Sequence, residues 1–190
     1  FTNVYFNPHG HGTHTECLGH ITKEAESVNR IQLPLLIPCL LHTISPSNIQ
    51  GDSVITMEHL PGGDLTNEKL PKALIIRTLP NGSSKTSKDW ANTNPTYLHS
   101  DFTDKLVERG VEHLLVDLPS VDKEIDGGAL LSHKAFFRVP EAPRTESTIT
   151  EFVFIPNEVQ DGLYALNLQL APFDLDASPS RPVIYPLSVI

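Results

Sequence analysis

Short apolar segments with the length of β-strands recur along the chain, and residues that favour turns separate them. Two apolar runs, residues 72–78 and 111–118, predict buried strands. Residues 151–155, 163–170 and 182–190 predict three more strands, and two of these three alternate apolar and polar positions. Sixteen prolines and eleven glycines also favour short strands and many loops over a helical bundle.

The clearest helix signal covers residues 101–109, where Ser100 is a suitable N-cap and Gly110 follows the last helical position. This helix directly precedes an apolar strand, which is typical of a local α/β unit. A second, short helix is predicted to begin at Ser132. Residues 80–99 are polar and rich in turn formers, and a surface loop of this length often covers a functional site. The pattern as a whole predicts a strand-rich, mixed α/β fold.

Composition and charge narrow the classes of function. The 190 residues fit a single domain, expected to span residues 1–190, and 39% hydrophobic content is ordinary for a folded protein. With 23 acidic and 14 basic residues the net charge is −9, which argues against nucleic acid or an anionic membrane surface as the main partner. The most apolar stretch, residues 31–41, is interrupted by Pro34 and Pro38 and is too short to span a bilayer. Two cysteines are too few for a disulfide framework.

Candidate chemistry is concentrated near the start of the chain. Four of the nine histidines, His9, His11, His14 and His20, fall within twelve residues, and Glu16 lies between the last two. Imidazole and carboxylate together suit zinc, manganese or iron. In an extended segment His14 and Glu16 project from the same face, and one helical turn after Glu16 would bring His20 back to that face. We therefore expect a metal site here.

The position of the first ligand is open. His9 has the opposite parity to His14, so a bulge or tight turn at Gly10 or Gly12 is needed to bring it to the metal face. In that case His11 would point outward.

The alternative to a metal site is a solvated histidine patch or the remains of a purification tag. Tags are continuous histidine runs, however, and this segment is interleaved with other residues.

Residues 11–20, His-Gly-Thr-His-Thr-Glu-Cys-Leu-Gly-His, resemble the signature of the bacterial kynurenine formamidase and cyclase family of metal-dependent hydrolases. The Gly-Thr-His core ends at His14, Glu16 stands where the family has aspartate, and His20 matches the last histidine. The resemblance implies that His14 and Glu16 bind metal and that His20 is the catalytic acid/base. The family's first histidine falls on Gly10, so His9 or His11 must supply it.

The resemblance continues downstream. Residues 110–122 resemble a strand and loop that end in a Ser-x-Asp element, and residues 161–184 resemble the closing strands. It implies that His133 and Glu151 complete the first metal site or build a second one. Members usually begin with a strand and loop upstream of the histidine motif, and this chain begins at Phe1, so we expect an N-terminal segment to be missing.

The resemblance implies a swivelling β/β/α domain and a metal-dependent amidohydrolase. It would cleave a carbon–nitrogen amide bond, in an arylformamide or a cyclic amide, by means of a metal-activated water. It also implies a small-molecule substrate, one or two divalent ions with zinc ahead of manganese, and a cytoplasmic homodimer without nucleic-acid or membrane partners. Two alternatives stay open, which are a non-catalytic metal-binding protein of the same fold and a polyketide-type cyclase or dehydratase.

Several other residues carry weaker signals. Asp117, Ser120 and Asp122 end a predicted strand, where they would either contact metal-binding histidines or form an ordinary turn. His113 lies inside an apolar strand and is interpreted as a hydrogen-bonded core residue. Three aromatic residues, Trp90, Tyr97 and Phe102, are interpreted as packing, with the walls of an aromatic pocket as the alternative.

Overall fold

The computed structural model describes residues 1–24, 26–63 and 68–187. Within these ranges the chain forms the following strands and α-helices: β1 (His14–Glu16), β2 (Ile37–Ile44), β3 (Ser47–Ile49), β4 (Asp52–Ile55), β5 (Ala73–Thr78), β6 (Tyr97–Leu98), α1 (Ser100–Glu108), β7 (His113–Val116), α2 (Leu131–Phe137), β8 (Thr148–Glu151), β9 (Gly162–Asn167), β10 (Ala177–Pro179) and β11 (Val183–Pro186). Short 3₁₀ turns at Leu18–His20, Val28–Arg30, Met57–His59 and Ser83–Thr86 connect them. The predicted mixed, strand-rich α/β fold is confirmed.

Eight strands form one mixed sheet in the order β10-β1-β8-β7-β5-β2-β9-β11. Its centre, β8-β7-β5-β2, is parallel, whereas the two flanks pair antiparallel. β3, β4 and β6 form a separate small sheet. Strand β1, from the start of the sequence, therefore lies between β8 and β10, while the last strand, β11, lies at the opposite edge of the sheet beside β9.

Both faces of the parallel centre are covered. In β5, Leu74 and Ile76 point to the face on which α1 and α2 pack, and Ala73 and Ile75 point to a second apolar cluster on the other face. All six residues of β5 are buried, as expected for a parallel strand with two covered faces. The helices contribute large apolar side chains to the first cluster, among them Phe102 of α1.

Most predicted elements are present, with shifted ends. Residues 72–78, 111–118 and 163–170 contain β5, β7 and β9, and residues 101–109 and the segment after Ser132 contain α1 and α2. The N-cap of α1 is His99 and not Ser100, since the His99 ring accepts the Asp101 N–H at 3.3 Å. Gly110 follows the helix with φ of +95°. The last predicted strand, residues 182–190, contains β11, and its residues 188–190 lie outside the described part.

One strand prediction needs correction, and one strand was not predicted. The strand predicted over residues 151–155 ends at Glu151, because β8 covers Thr148–Glu151 and Phe152 takes a left-handed φ of 57°. β2 is a central strand in a stretch that the sequence suggested only as an interrupted apolar run. Pro38 is tolerated there because the pairing of β2 with β5 begins one residue later, at Cys39.

The predicted polar loop lies over the carboxyl end of the parallel strands. Lys85 attaches it, since the Lys85 Nζ donates to Asp117 Oδ2 at 2.7 Å and to the Thr78 carbonyl at 2.6 Å. Asp117 also accepts the Thr78 N–H, so its role is to join β5, β7 and the loop. Across the described ranges we find no helix with the length and apolarity needed to cross a membrane.

Candidate metal centre

Strand register places three candidate ligands, His14, Glu16 and Glu151, on one face of the sheet. His14 and Glu16 project from the same side of β1, and His14 is the direct register partner of Glu151 on β8. His14 Nε2 lies 3.4 Å from Glu151 Oε2 and 4.0 Å from Glu16 Oε2. Thr15, between them, points to the opposite face and pairs with Thr150 at 2.8 Å. The strand alternation predicted for this segment is present.

Helix α2 brings His133 onto the same face. His133 Nε2 lies 2.7 Å from Glu16 Oε1 and 3.8 Å from Glu151 Oε1. Asp122 fixes the helix, because its carboxylate accepts the backbone N–H groups of Ser132 and His133 and the His133 Nδ1–H, the last at 2.6 Å. Of the two interpretations open for Asp122, the contact with a histidine is therefore the correct one.

A turn returns His9 to the cluster. The Gly10 N–H donates to the Asn7 carbonyl at 3.2 Å, and Gly12 has φ of +142°, a backbone conformation that side chains disfavour. His9 Nδ1 consequently lies 3.1 Å from Glu16 Oε2. His11 is exposed, and its Nδ1 accepts the N–H of Asn7, so it lies outside the cluster.

His20 ends the 3₁₀ turn that follows β1. Its ring stacks on His9 with centroids 4.3 Å apart and lies 5.3 Å from the His133 ring. Gly19 makes this turn possible, because a Cβ at Gly19 would lie 2.4 Å from the Glu26 carbonyl oxygen. His20 is thus held at the edge of the cluster with 30% of its side chain exposed.

The arrangement of donor atoms fits a divalent cation. His14 Nε2 and Glu16 Oε2 are buried, and neither makes a hydrogen bond with the described residues. The donor atoms of His9, His14 and Glu16 lie within 4.8 Å of one another, as do those of Glu16, His20 and His133. Tetrahedral zinc with bonds of about 2.1 Å separates its ligands by roughly 3.4 Å, so the observed spacing needs only small adjustment.

The outer nitrogen of each candidate histidine ligand donates to an oxygen. His14 Nδ1 donates to the Gly12 carbonyl at 3.0 Å, His133 Nδ1 to Asp122, and His9 Nε2 to Asp176 Oδ2 at 3.0 Å. A neutral imidazole held in this way directs the lone pair of its other nitrogen inward. Metal-binding histidines almost always have such a partner, so this pattern strengthens the fit to a cation.

The charged groups of the cluster lie close together and are largely shielded from water, and this shifts their pKa values. Burial alone would raise the pKa of Glu16, but the His133 charge and the contacts with His133 and His9 hold it well below its usual range. Burial would lower the pKa of His133, and Glu16 and Asp122 raise it well above 6.5. The pKa of His14 is raised by Glu151 against the opposing effect of burial, and that of His9 is raised chiefly by Glu16. Buried carboxylates thus favour positive charge at this cluster, as a cation site requires.

The structure brings together all six residues singled out in the sequence as ligands or acid/base: His9, His14, Glu16, His20, His133 and Glu151. Ser120 forms a local turn in which its hydroxyl accepts the Asp122 N–H. Sequence reasoning missed Asp176, which precedes β10 and contacts both His9 and His20. No spacing signal could identify it, because it reaches the cluster only through the pairing of β10 with β1.

A cavity of about 410 Å³ adjoins the cluster. Its lining includes Gly10, Asp122 and Phe152, and the polar loop contributes Lys88 and Trp90. The Lys88 ammonium lies over the Trp90 ring, 4.0 Å from its centroid. Trp90 thus lines a cavity, as the alternative interpretation held, whereas Phe102 packs in the core and Tyr97 is not among the residues that line this cavity.

The chain is similar to known proteins in sequence and in fold. Residues 2–123, more than half of the chain, match the model of the Cyclase family. Kynurenine formamidase of Bacillus thuringiensis (strain Al Hakam) is 29% identical over 178 residues, which cover 93% of this chain and 76% of that protein.

Two solved structures share the fold. One is a potential metal-dependent hydrolase with cyclase activity, with a TM-score of 0.71, 17% identity and coverage of 96% of this chain and 81% of the other. The second is isatin hydrolase A from Labrenzia aggregata bound to benzyl benzoate, with a TM-score of 0.62, 13% identity and coverage of 92% and 72%. Because the family model matches residues 2–123, which is more than half of the sequence, this chain belongs to the Cyclase family.

Proposed function

We propose that this protein is a divalent-metal-dependent hydrolase that cleaves a carbon–nitrogen amide bond in an arylformamide or a cyclic amide. The observation that carries the proposal is the convergence of buried carboxylates and histidines whose outer nitrogens are all fixed by oxygen acceptors. Similarity to kynurenine formamidase and to isatin hydrolase supports the choice of an amide substrate.

The residues that would hold the metal fall into two overlapping sets. His9, His14 and Glu16 form one set, and His133 joins Glu16 and Glu151 in the other. Glu16 belongs to both, so the arrangement accommodates one ion or two. Mixed nitrogen and oxygen donors suit zinc best, and manganese next. When bound, such an ion supplies Lewis-acid activation of water and of the amide carbonyl.

His20 is proposed as the proton-transfer residue. It lies beside both ligand sets, yet 30% of its side chain is exposed, whereas the His14 and His133 side chains are each 1% exposed. In hydrolysis His20 would accept a proton from the attacking water and return it to the leaving nitrogen. The C–N bond breaks, water supplies the hydroxyl of the new acid, and the amine leaves with the proton.

The cavity fits an aromatic substrate of modest size. Its volume lies in the range common for small-molecule sites, about 300–1,000 Å³. Trp90 and Phe152 offer aromatic walls, and the Phe152 ring lies 6.1 Å from the His14 ring. The aryl group of a bound amide would therefore have aromatic side chains to pack against.

Metal analysis combined with an amide assay tests the proposal. Purified protein should contain zinc or manganese, hydrolyse an arylformamide or a cyclic imide, lose activity on chelation and regain it when metal is added back. Metal content without hydrolysis of either substrate would favour the non-catalytic alternative. Turnover of a polyketide-like substrate alone would favour the cyclase or dehydratase alternative.

We extend the proposal to a single-domain, cytoplasmic homodimer on the basis of the family resemblance. Size-exclusion chromatography with light scattering tests the dimer. A monomer at working concentrations would contradict that part of the proposal without affecting the chemistry.

A further inference from the structure

Asp176 is fixed against the histidine segment by its backbone. It immediately precedes β10, which pairs with β1, and its carbonyl accepts the Cys17 N–H at 3.0 Å. This hydrogen bond places the Asp176 side chain beside the turn that carries His20. The carboxylate therefore reaches the cluster from a strand that comes late in the chain.

One carboxylate oxygen of Asp176 faces two imidazoles. Asp176 Oδ2 lies 3.0 Å from His9 Nε2 and 3.5 Å from His20 Nδ1. The two rings stack on each other with an interplanar angle of 30°. The orientations of His9 and His20 are consequently linked through a single acceptor.

His9 needs such an acceptor more than the other candidate ligands do. His14 is held by a strand and His133 by a helix, and each side chain is 1% exposed. His9 comes from an irregular turn, and 27% of its side chain is exposed. Asp176 stands to His9 as Asp122 stands to His133, because each accepts the outer N–H and leaves the inner nitrogen facing Glu16.

We propose that Asp176 is a positioning residue that directs His9 Nδ1 toward the metal and at the same time holds His20 beside it. The inference rests on the proposed function. It explains how a histidine one residue away from the family's usual position serves as a ligand, since the opposing strand corrects its orientation. Binding of the metal and placement of the proton-transfer residue then depend on the same hydrogen-bonding group.

The test compares Asp176→Ala and Asp176→Asn with Asp174→Asn, which removes an exposed carboxylate from the same segment. Zinc affinity is measured by competition with a chromophoric chelator, independently of any activity. We expect Asp176→Ala to weaken zinc binding by about 10–100-fold, as is typical for partners of metal-binding histidines. Asp176→Asn should recover part of the loss, because its amide oxygen still accepts the His9 N–H, and Asp174→Asn should bind like the wild type.

A spectroscopic readout separates positioning from a general loss of structure. In ¹⁵N-histidine spectra of the zinc-loaded protein, His9 should be protonated at Nε2 and bound through Nδ1. The Asp176→Ala variant should lose that uniform state, while the signals of His14 and His133 persist. At saturating zinc, kcat should fall more than KM changes, since His20 is misplaced while the substrate cavity is intact.

The outcomes also distinguish this inference from the proposed function. Wild-type zinc affinity and an unchanged His9 tautomer in Asp176→Ala would overturn the role of Asp176, even if the protein is an active hydrolase. Conversely, a wild type that binds zinc but hydrolyses no amide would overturn the proposed function. In that case weakened binding in Asp176→Ala would still support the positioning role.

Discussion

Glu16 and His133 meet at 2.7 Å, Oε1 to Nε2, although 117 residues separate them in the chain. Their side chains are 0% and 1% exposed, so neither charge has access to water. Glu16 directs its other oxygen toward His9, at 3.1 Å. A single carboxylate therefore joins the ligands from the N-terminal segment to the ligand from α2.

Replacing Glu16 by Gln should abolish most metal binding. The amide keeps the size of the side chain but loses the negative charge that faces His9 and His133, so we expect zinc affinity to fall by more than about 100-fold, beyond the loss typical of indirect partners. Chelator competition measures the effect. Glu16→Asp is the matched control, because it keeps the charge and restores the residue of the family pattern, and it should bind zinc more tightly than Glu16→Gln. Equal affinity in Glu16→Gln and the wild type would exclude Glu16 as a ligand.

His9 and His11 form a natural pair for comparison. His9 lies in the cluster, whereas His11 is exposed and contacts only the Asn7 backbone among the hydrogen bonds of the described chain. His9→Ala should lower zinc affinity strongly, and His11→Ala should leave it within about twofold, since surface changes usually have small effects. Isothermal titration calorimetry of both variants measures this difference. The reverse order would assign the first ligand to His11.

Replacing His20 by Asn should separate chemistry from metal binding. If His20 transfers protons, metal content should be nearly unchanged and kcat should fall by roughly 10²–10⁴-fold. Elemental analysis and steady-state kinetics of one preparation provide both values. A loss of metal that precedes the loss of activity would instead identify His20 as a ligand, and full turnover would remove it from the mechanism.

Because His113 is buried, we predict that the free energy of unfolding falls in acid. It is buried in β7 with its ring 3.0 Å from the Thr148 hydroxyl, and burial lowers its pKa to about 4. Below pH 6.5 the unfolded chain binds a proton that the folded chain refuses until about pH 4. Stability is therefore present above pH 6.5 and is lost as the pH falls toward 4, by about 3 kcal/mol from this group.

Urea denaturation between pH 7 and pH 4 measures this effect. His113→Gln does not titrate in this range, so its free energy of unfolding should depend less steeply on pH than that of the wild type. Parallel pH profiles for the two proteins would show that His113 is not responsible. Comparison of the slopes cancels the contributions of the other titrating groups.

The sequence predicted what depends on local periodicity. The parity of His14 and Glu16, the turn needed for His9 and the short helix carrying His133 all follow from neighbours within a few residues. Phe152 shows the limit of such reasoning, because an aromatic residue favours strands, yet tertiary contacts hold it at a positive φ and end β8 at Glu151.

Long-range pairing accounts for what sequence reasoning did not reach. Asp176 becomes a neighbour of His9 only because β10 pairs with β1, and no local pattern encodes that register. Pro38 made the stretch that contains β2 look like an interrupted apolar run, although Pro38 precedes the first residue of β2 that pairs with β5.

The position of β1 between β8 and β10 has a consequence for the order of folding. β1 has three residues and little apolar surface of its own, so it stays in place only when strands from the last third of the chain pair on both of its sides. Such distant contacts form slowly because the entropy of closing long loops must be overcome first. During synthesis the histidine segment is made before β8 and β10, so it can pair only after both of these strands have been made. A bound cation would therefore act late in folding, when it joins the histidine segment to His133 of α2 and Glu151 of β8.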